Sequence, residues 1–345
     1  MVENGKIYGT DSYALINLIT CKHIIHNMLH EIEKALAAIP YPKVPVGLYE
    51  PISYTLSAGG KRVRPMLLLM AYGLYKEDFQ RAMPAAIALE TYHNCTLLHD
   101  DLMDKADVRR GRPTVHRRWD ENTAVLSGDT MLVMAFRHAM QTDCKRKEEL
   151  LQLFALTMQE ICEGQQYDMN FETRDDVLVD EYIEMIRLKT SVLLACALKM
   201  GAIVADAPED EGDLLYRFGE KLGLAFQLQD DYLDCYGDTA VFGKRIGGDI
   251  LCAKKTFLLT TALQNATVED RATLLQVLAD SKMPDEDKIG CVLDIYKKLD
   301  IPRLCRERIE ELHVEAERIL DSLPQSEERK KPLRDFMHQM LKREK

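Results

Sequence analysis

The sequence predicts one all-α domain, and three observations carry that expectation. Apolar residues recur at helical spacing through most of the chain. Alternating β-branched runs, the signature of half-buried strands, are scarce. Helix breakers fall between the periodic segments, at Pro40-Tyr-Pro42, Gly59-Gly60, Gly111-Arg-Pro113, Gly201, Pro208, Gly237, Gly247-Gly248, Pro284, Pro302 and Pro324. Their spacing implies about a dozen helices, many longer than average. No repeat, linker or low-complexity stretch interrupts them. Residues 16–345 therefore read as one domain behind a tail of residues 1–15.

In chain order, the first residues (MVENGKIYGTDSYALINLITC) lack a basic start followed by a long apolar core, so no signal peptide is expected. The longest apolar stretch, Met66–Tyr75, contains Gly73. It is too short for the roughly 20 residues that span a bilayer. A cytoplasmic protein with no transmembrane segment is the expectation. From Ala85 an apolar helix leads into an acidic cluster. Glu148–Phe171 and Leu214–Tyr236 are amphipathic. Between them, Glu181–Lys189 sets Tyr182, Ile183 and Ile186 on one stripe with Val192 and Leu193. The charged end, Ser326–Lys345, reads as a solvated surface helix or as a basic contact to a membrane or partner. Nine cysteines, an odd number with no CxxC pair, lie mostly in apolar helical patterns. They are expected to be buried thiols in a reducing compartment.

The formal net charge is -11, which argues against a nucleic-acid binder, a class that normally shows a basic face. It also looks unsuited to an anionic substrate, unless bound cations reverse the local sign. Leu97-Leu-His-Asp-Asp-Leu-Met-Asp104 makes that reversal specific. On a helix, Asp100 and Asp104 share a face, with Cβ atoms about 5–6 Å apart. Carboxylates so crowded need a cation or a shared proton. Hard oxygen donors select magnesium or calcium, and magnesium is the ion that shares its shell with phosphate oxygens. One DDxxD segment alone would read as an acidic surface. Phe226-Gln-Leu-Gln-Asp-Asp-Tyr-Leu-Asp234 repeats the spacing on a second apolar helix. Two such helices facing each other across a cavity would make an acidic cage.

The cations for an anion are present too. Gly59-Gly-Lys-Arg-Val-Arg-Pro65 is a basic loop entering a helix, where glycines allow close approach and the N-terminus favours negative charge. Arg109-Arg-Gly-Arg-Pro113 follows the first acidic motif by five residues, and arginine forks match phosphate oxygens. Lys189-Thr190, Lys244 and Lys254-Lys255-Thr256 add donors.

The ordered set GGKRVRP, HDDLMD, RRGRPTVH, GQ (Gly164-Gln165), LKT, FQLQDDYLD, GKRIGGDI and KKT resembles the trans-isoprenyl diphosphate synthases, or polyprenyl synthetases, from about residue 45 to 260. The resemblance implies an all-α helical bundle of the isoprenoid-synthase type with a central cavity, assembled as a homodimer. It implies condensation of isopentenyl diphosphate with an allylic diphosphate (dimethylallyl, geranyl or farnesyl), with diphosphate released. About three Mg²⁺ would serve each site. Asp100 and Asp104 would ligate two of them with Asp101 supporting, and Asp230 would ligate the third with Asp231 and Asp234 nearby. Arg109, Lys189, Thr190, Gln227, Lys244 and Lys254 would hold the allylic diphosphate. Lys61, Arg64, His93 and Arg110 would hold isopentenyl diphosphate. His99, beside the motif, reads as a packing residue. Cations stabilise the charge that develops on the departing diphosphate, and apolar walls keep water from the allylic carbocation. Six aspartates against three dications are neutral, which resolves the net-charge problem.

The helix behind Asp100 is expected to measure the product. Short-chain members carry an aromatic residue near 95 or 96, where this chain has the small Cys95 and Thr96. Tyr92 is the next candidate floor. Three residues of helix rise about 4.5 Å, near one isoprene unit. A twenty-carbon geranylgeranyl product is preferred, with farnesyl or longer polyprenyl products the alternatives. Two other functions compete. A class I terpene cyclase would carry a different second motif and has no need of Lys61 and Arg64. An inactive regulatory subunit could lose its aspartates, and here both motifs are intact.

Overall fold

The structure, a computed structural model, describes residues 10–237 and 246–341, with side chains from residue 24 onward. The all-α expectation is borne out. Among the described residues the regular structure is helical apart from one two-residue strand pair. The chain's contacts gather into two compact units. The first runs to Lys147 and takes in Gly201–Asp206 and Gln325–Leu333. The second comprises Glu148–Met200, Ala207–Pro324 and the chain from Arg334.

In the first unit, helices α1 (Thr10–Ala37), α2 (Val46–Leu56) and α3 (Val63–Gly73) precede a 3₁₀ turn (Phe79–Ala82) and α4 (Met83–Met103). Strands β1 (Val108–Arg109) and β2 (Arg112–Pro113), the short α5 (Val115–Arg118) and α6 (Glu121–Met140) follow. Helix α4 is the axis of this unit, packing on α6 along its length and on α1, α2 and α3. It can do so because its sequence is apolar on nearly every side, with Ala85 through Tyr92 all buried. Helix α6 starts where the Asp120 carboxylate accepts the Thr123 N–H at 2.9 Å, satisfying an otherwise orphaned donor.

In the second unit, α7 (Lys147–Phe171) and α8 (Val179–Ile186) lead through Arg187–Ser191 into α9 (Val192–Val204), whose end from Gly201 belongs to the first unit, and α10 (Glu209–Tyr236). Helices α11 (Gly248–Leu251), α12 (Phe257–Asn265), α13 (Val268–Ala279), α14 (Asp285–Lys298) and α15 (Ile301–Ser322) follow, and α16 (Glu327–Leu341) belongs to the first unit up to Leu333 and to the second from Arg334. Helix α10 packs against α15 and touches α8, α11 and α12. Tyr182, Ile186, Leu228, Phe257, Leu274, Tyr296, Cys305 and Leu312 fill the core between them.

Four features differ from the sequence expectation. Gly201 does not break a helix but lies inside α9, because its missing side chain lets Leu68 approach; a Cβ there would stand 2.3 Å from the Leu68 carbonyl oxygen. The segment at 187–191 is not ordinary α-helix but one wide π-turn. The C-terminal helix is more than a solvated surface, since Lys330, Leu333, Met337 and Met340 are buried at helical spacing. Cys162, Cys252 and Cys291 are exposed, whereas Cys95, Cys144, Cys196, Cys235 and Cys305 are buried as expected, and all of these are free thiols. Among the described residues no helix is long and apolar enough to cross a membrane.

Candidate active site

Both acidic motifs sit at the C-terminal ends of long helices, the first on α4 and the second on α10. They lie in different units. In each, the middle aspartate is buried and held by close hydrogen bonds. Asp101 is buried and accepts both close bonds from Arg109 Nε, at 2.7 and 2.8 Å. Burial raises its pKa against the pull of that guanidinium. Asp231 is likewise buried. Its oxygens accept from the Tyr182 hydroxyl, from Gln227 Nε2 at 3.1 Å and from the Phe257 N–H at 3.4 Å. Burial, reinforced by the Asp249 charge, pushes its pKa up to about 7. Asp234 caps α11 by accepting the Asp249 N–H at 2.9 Å. Asp100, Asp104 and Asp230 remain at least partly accessible. Oxygen-only donors of this kind fit a magnesium ion.

The basic residues of the first unit converge through a small hairpin. Strand β1 pairs with β2, Arg109 opposite Arg112. Arg110 and Gly111 make the turn, both with positive φ (52° and 73°). This is the backbone of a two-residue hairpin turn, which glycine accepts freely and arginine only at some cost. The hairpin keeps Arg109 on Asp101, with its second arm 3.7 Å from Asp100. Arg110 is thereby aimed at the Gly59-Gly60 loop, where it donates to the Gly59 carbonyl. Gly60 (φ 135°) permits this approach, as a Cβ there would stand 2.9 Å from the Arg110 guanidinium carbon.

Arg64, on the first turn of α3, donates to His93 Nε2 at 3.0 Å. Burial, together with Arg64, Arg110, Arg109 and Arg62, holds the His93 pKa well below the ordinary histidine value. His93 is therefore a neutral ring that accepts from Arg64. Burial also lowers Arg64, to about 10, which leaves it charged at neutral pH. Its Nε is buried without a hydrogen-bond partner, an arrangement that favours an incoming anion. Arg62, the middle cation of the loop, does something different. It is buried on Glu33 (2.8 Å), Glu90 (2.7 Å) and the Leu56 carbonyl (2.9 Å), and so fixes the loop. Lys61 is exposed beside it.

In the second unit, Lys189 and Thr190 lie on the π-turn, a geometry common at functional sites. Two glycines press against it. A Cβ on Gly164 of α7 would stand 2.4 Å from the Lys189 backbone nitrogen, and one on Gly223 of α10 would stand 2.6 Å from Ser191 Cα. Lys189 Nζ meets Asp168 at 2.6 Å, and the Thr190 hydroxyl meets Gln227 Oε1 at 3.2 Å. Lys254 pulls the Asp231 pKa down. Lys244 lies outside the described residues. On α4, the Cys95 thiol donates to the Gly128 carbonyl of α6 at 3.2 Å, Thr96 bonds back to the His93 carbonyl at 2.8 Å, and Tyr92 is buried. His99 packs on α6, where its ring occupies the space that a Cβ on Gly128 would need.

The sequence pattern of the polyprenyl synthetases matches residues 45–296, which includes both acidic motifs and every cation of the candidate site. The chain belongs to the polyprenyl synthetase family. It resembles the short chain isoprenyl diphosphate synthase of Methanocaldococcus jannaschii, with 40% identity over 76% of this chain and 79% of the relative. It is 35% identical to the geranylgeranyl diphosphate synthase of Methanosarcina mazei, over 84% of this chain and 95% of the relative. A crystal structure of a geranylgeranyl pyrophosphate synthase superposes with a TM-score of 0.87 at 43% identity, covering 94% of this chain and 99% of that one. As a polyprenyl synthetase, the chain is an enzyme of prenyl transfer.

Sequence reasoning about this polyprenyl synthetase missed several residues that shape the site. Asp168 fixes Lys189, Tyr182 anchors Asp231, and Glu90 and Asn94 support Arg62 and Arg110. Asp168 was in principle within reach, because an acidic residue one turn after Gly164-Gln165 stands on an otherwise amphipathic helix. Tyr182 carried no signal beyond an apolar stripe.

Proposed function

We propose that this polyprenyl synthetase extends an allylic diphosphate with isopentenyl diphosphate in the presence of Mg²⁺, and that its main product is geranylgeranyl diphosphate. The observation that carries the reading is the group formed by Arg64, neutral His93 and Arg110, with the buried Arg64 Nε unsatisfied. A half-buried guanidinium with an unsatisfied Nε, facing the charge of a second one, is stabilised by an anion between them. Isopentenyl diphosphate supplies that anion, with Lys61 at the exposed edge. The allylic diphosphate falls to Arg109, Lys189, Thr190, Gln227, Lys244 and Lys254.

Asp100, Asp104 and Asp230 would hold Mg²⁺. Asp101, Asp231 and Asp234 act behind them, holding Arg109, the Tyr182 contact and the start of α11 in place. When bound, the ions supply charge neutralisation of the departing diphosphate. The rest is done by the chain. Arg109 and Lys189 orient the leaving group, Arg64 and Arg110 hold the acceptor, and the apolar flank of α4 excludes water. Both motifs serve one leaving group in this reading, which the ordered motifs of residues 45–296 support.

The twenty-carbon product is supported by relatives named geranylgeranyl diphosphate synthase and by the small Cys95 and Thr96 above buried Tyr92. A homodimer is supported by the apolar side of α6, where Val125, Leu126, Leu132, Val133 and Met140 are exposed among the described residues. Incubation with Mg²⁺, isopentenyl diphosphate and each allylic primer, followed by sizing of the products, tests the proposal. Chains ending at twenty carbons are expected, and failure to elongate any primer would overturn it.

A further inference from the structure

Helices α15 and α16 carry a cluster that prenyl transfer does not use. His313 and Glu317 are one turn apart on α15, and His338 comes from α16. One ligand atom from each lies within 4.8 Å of the others. His338 Nε2 stands 2.6 Å from Glu317 Oε1, and His313 Nε2 stands 4.0 Å from the same oxygen. The two rings meet edge to face at 5.3 Å.

We propose that His313, Glu317 and His338 form a second metal site, for zinc or a similar borderline transition ion, that pins α16 to α15. The donor set is two imidazoles and one carboxylate, which suits zinc and not the hard cation of the aspartate motifs. Tetrahedral coordination at about 2.0–2.1 Å places ligand atoms roughly 3.3 Å apart. The two separations from Glu317 Oε1, 2.6 and 4.0 Å, bracket that value, and all three ligand atoms lie within 4.8 Å of one another, so side-chain adjustment without movement of the helices brings them to it.

Two of the three ligands have a charged neighbour outside the cluster, as metal ligands commonly do. Glu310 lies 3.9 Å from His313 Nδ1. Arg334 binds Glu317 Oε2, leaving Oε1 toward the histidines, and its other arm meets Asp321 at 2.9 Å. A plain histidine–glutamate hydrogen bond would explain His338 and Glu317. It leaves His313 Nε2 buried with no hydrogen-bond partner, and a metal ion resolves that. Three protein ligands at this half-exposed position leave a fourth for water.

The test uses full-length enzyme stripped with chelator and titrated with Co²⁺ as a spectroscopic probe under saturating Mg²⁺. One equivalent with the visible absorption of tetrahedral cobalt is expected, displaced by Zn²⁺, and retained in a variant carrying both Asp104→Ala and Asp230→Ala. His313→Ala and His338→Ala should each weaken binding by at least about tenfold, in line with the loss of groups around a metal. His338→Gln, which keeps the volume, should do the same with an unchanged far-ultraviolet dichroism spectrum and unchanged Mg²⁺-dependent elongation. The proposal is overturned if the histidine variants bind cobalt like wild type, if the aspartate variant abolishes the signal, or if wild type shows no tetrahedral spectrum.

Discussion

Replacing Gly164 with alanine is the sharpest perturbation of the site that leaves every polar group in place. The added Cβ would stand 2.4 Å from Lys189 N and 2.8 Å from both Leu188 C and Lys189 Cα. All three are backbone atoms, so no rotamer change relieves the contact. An ordinary contact begins near 3.4 Å, so the π-turn must move by about an ångström relative to α7. Overpacking of this size costs about 1–3 kcal/mol. Alanine returns up to about 1 kcal/mol through helix propensity, so the net loss of stability is modest, on the order of 1–2 kcal/mol. The effect on rate is larger. Lys189 rides on the displaced backbone, and its 2.6 Å contact with Asp168 fixes where its ammonium points. A misplacement of an ångström at a positioned group can cost about a hundredfold. Steady-state elongation with saturating isopentenyl diphosphate and varied allylic primer should show kcat down by about two orders of magnitude. Thermal melting should show only a small decrease. An alanine variant within twofold of wild type in kcat would refute the assignment of the π-turn as the mount for the allylic diphosphate.

Other substitutions separate the roles of neighbouring cations. Arg62→Ala removes the counter-ion of Glu90, which is 1% exposed and keeps only the neutral Asn94 amide as a hydrogen-bond donor among the described residues, and should cost about 3 kcal/mol, seen as a fall in denaturation midpoint. Arg64→Ala should instead raise KM for isopentenyl diphosphate well above that for the allylic primer at nearly unchanged stability; equal effects on both substrates would remove Arg64 from the acceptor site. On α4, Tyr92→Ala should lengthen the product and Thr96→Phe should shorten it, read by mass spectrometry of the dephosphorylated alcohols. Cys95→Phe should also shorten the product, with a loss of stability of about 1–3 kcal/mol, because the thiol is packed on the Gly128 carbonyl.

Much of this was legible in the sequence because the site is built from elements with local signatures. A DDxxD segment on an apolar helix announces itself through spacing, and Gly59-Gly60 followed by cations reads as the anion loop proposed above. What was not legible depends on contacts between distant segments. Nothing near Arg62 distinguishes it from Arg64, yet one is consumed by Glu33 and Glu90 while the other keeps a buried Nε available. The same holds for Asp230 and Asp231, whose difference is made by Tyr182, 49 residues away in sequence from Asp231. Periodicity gives only a faint sign of a π-turn, since one extra residue moves the apolar stripe by a single position. Its traces were Gly164 and Gly223, whose meaning appears only when the backbones they admit are known.

The central claim is that an acidic chain takes up a diphosphate through divalent cations held by both aspartate motifs. Calorimetric titration of inorganic diphosphate, the released product, tests it most directly. Binding is expected with Mg²⁺, should vanish with chelator, and should be lost equally in Asp104→Ala and in Asp230→Ala. Binding that persists without Mg²⁺, or that survives in either variant, would contradict the account.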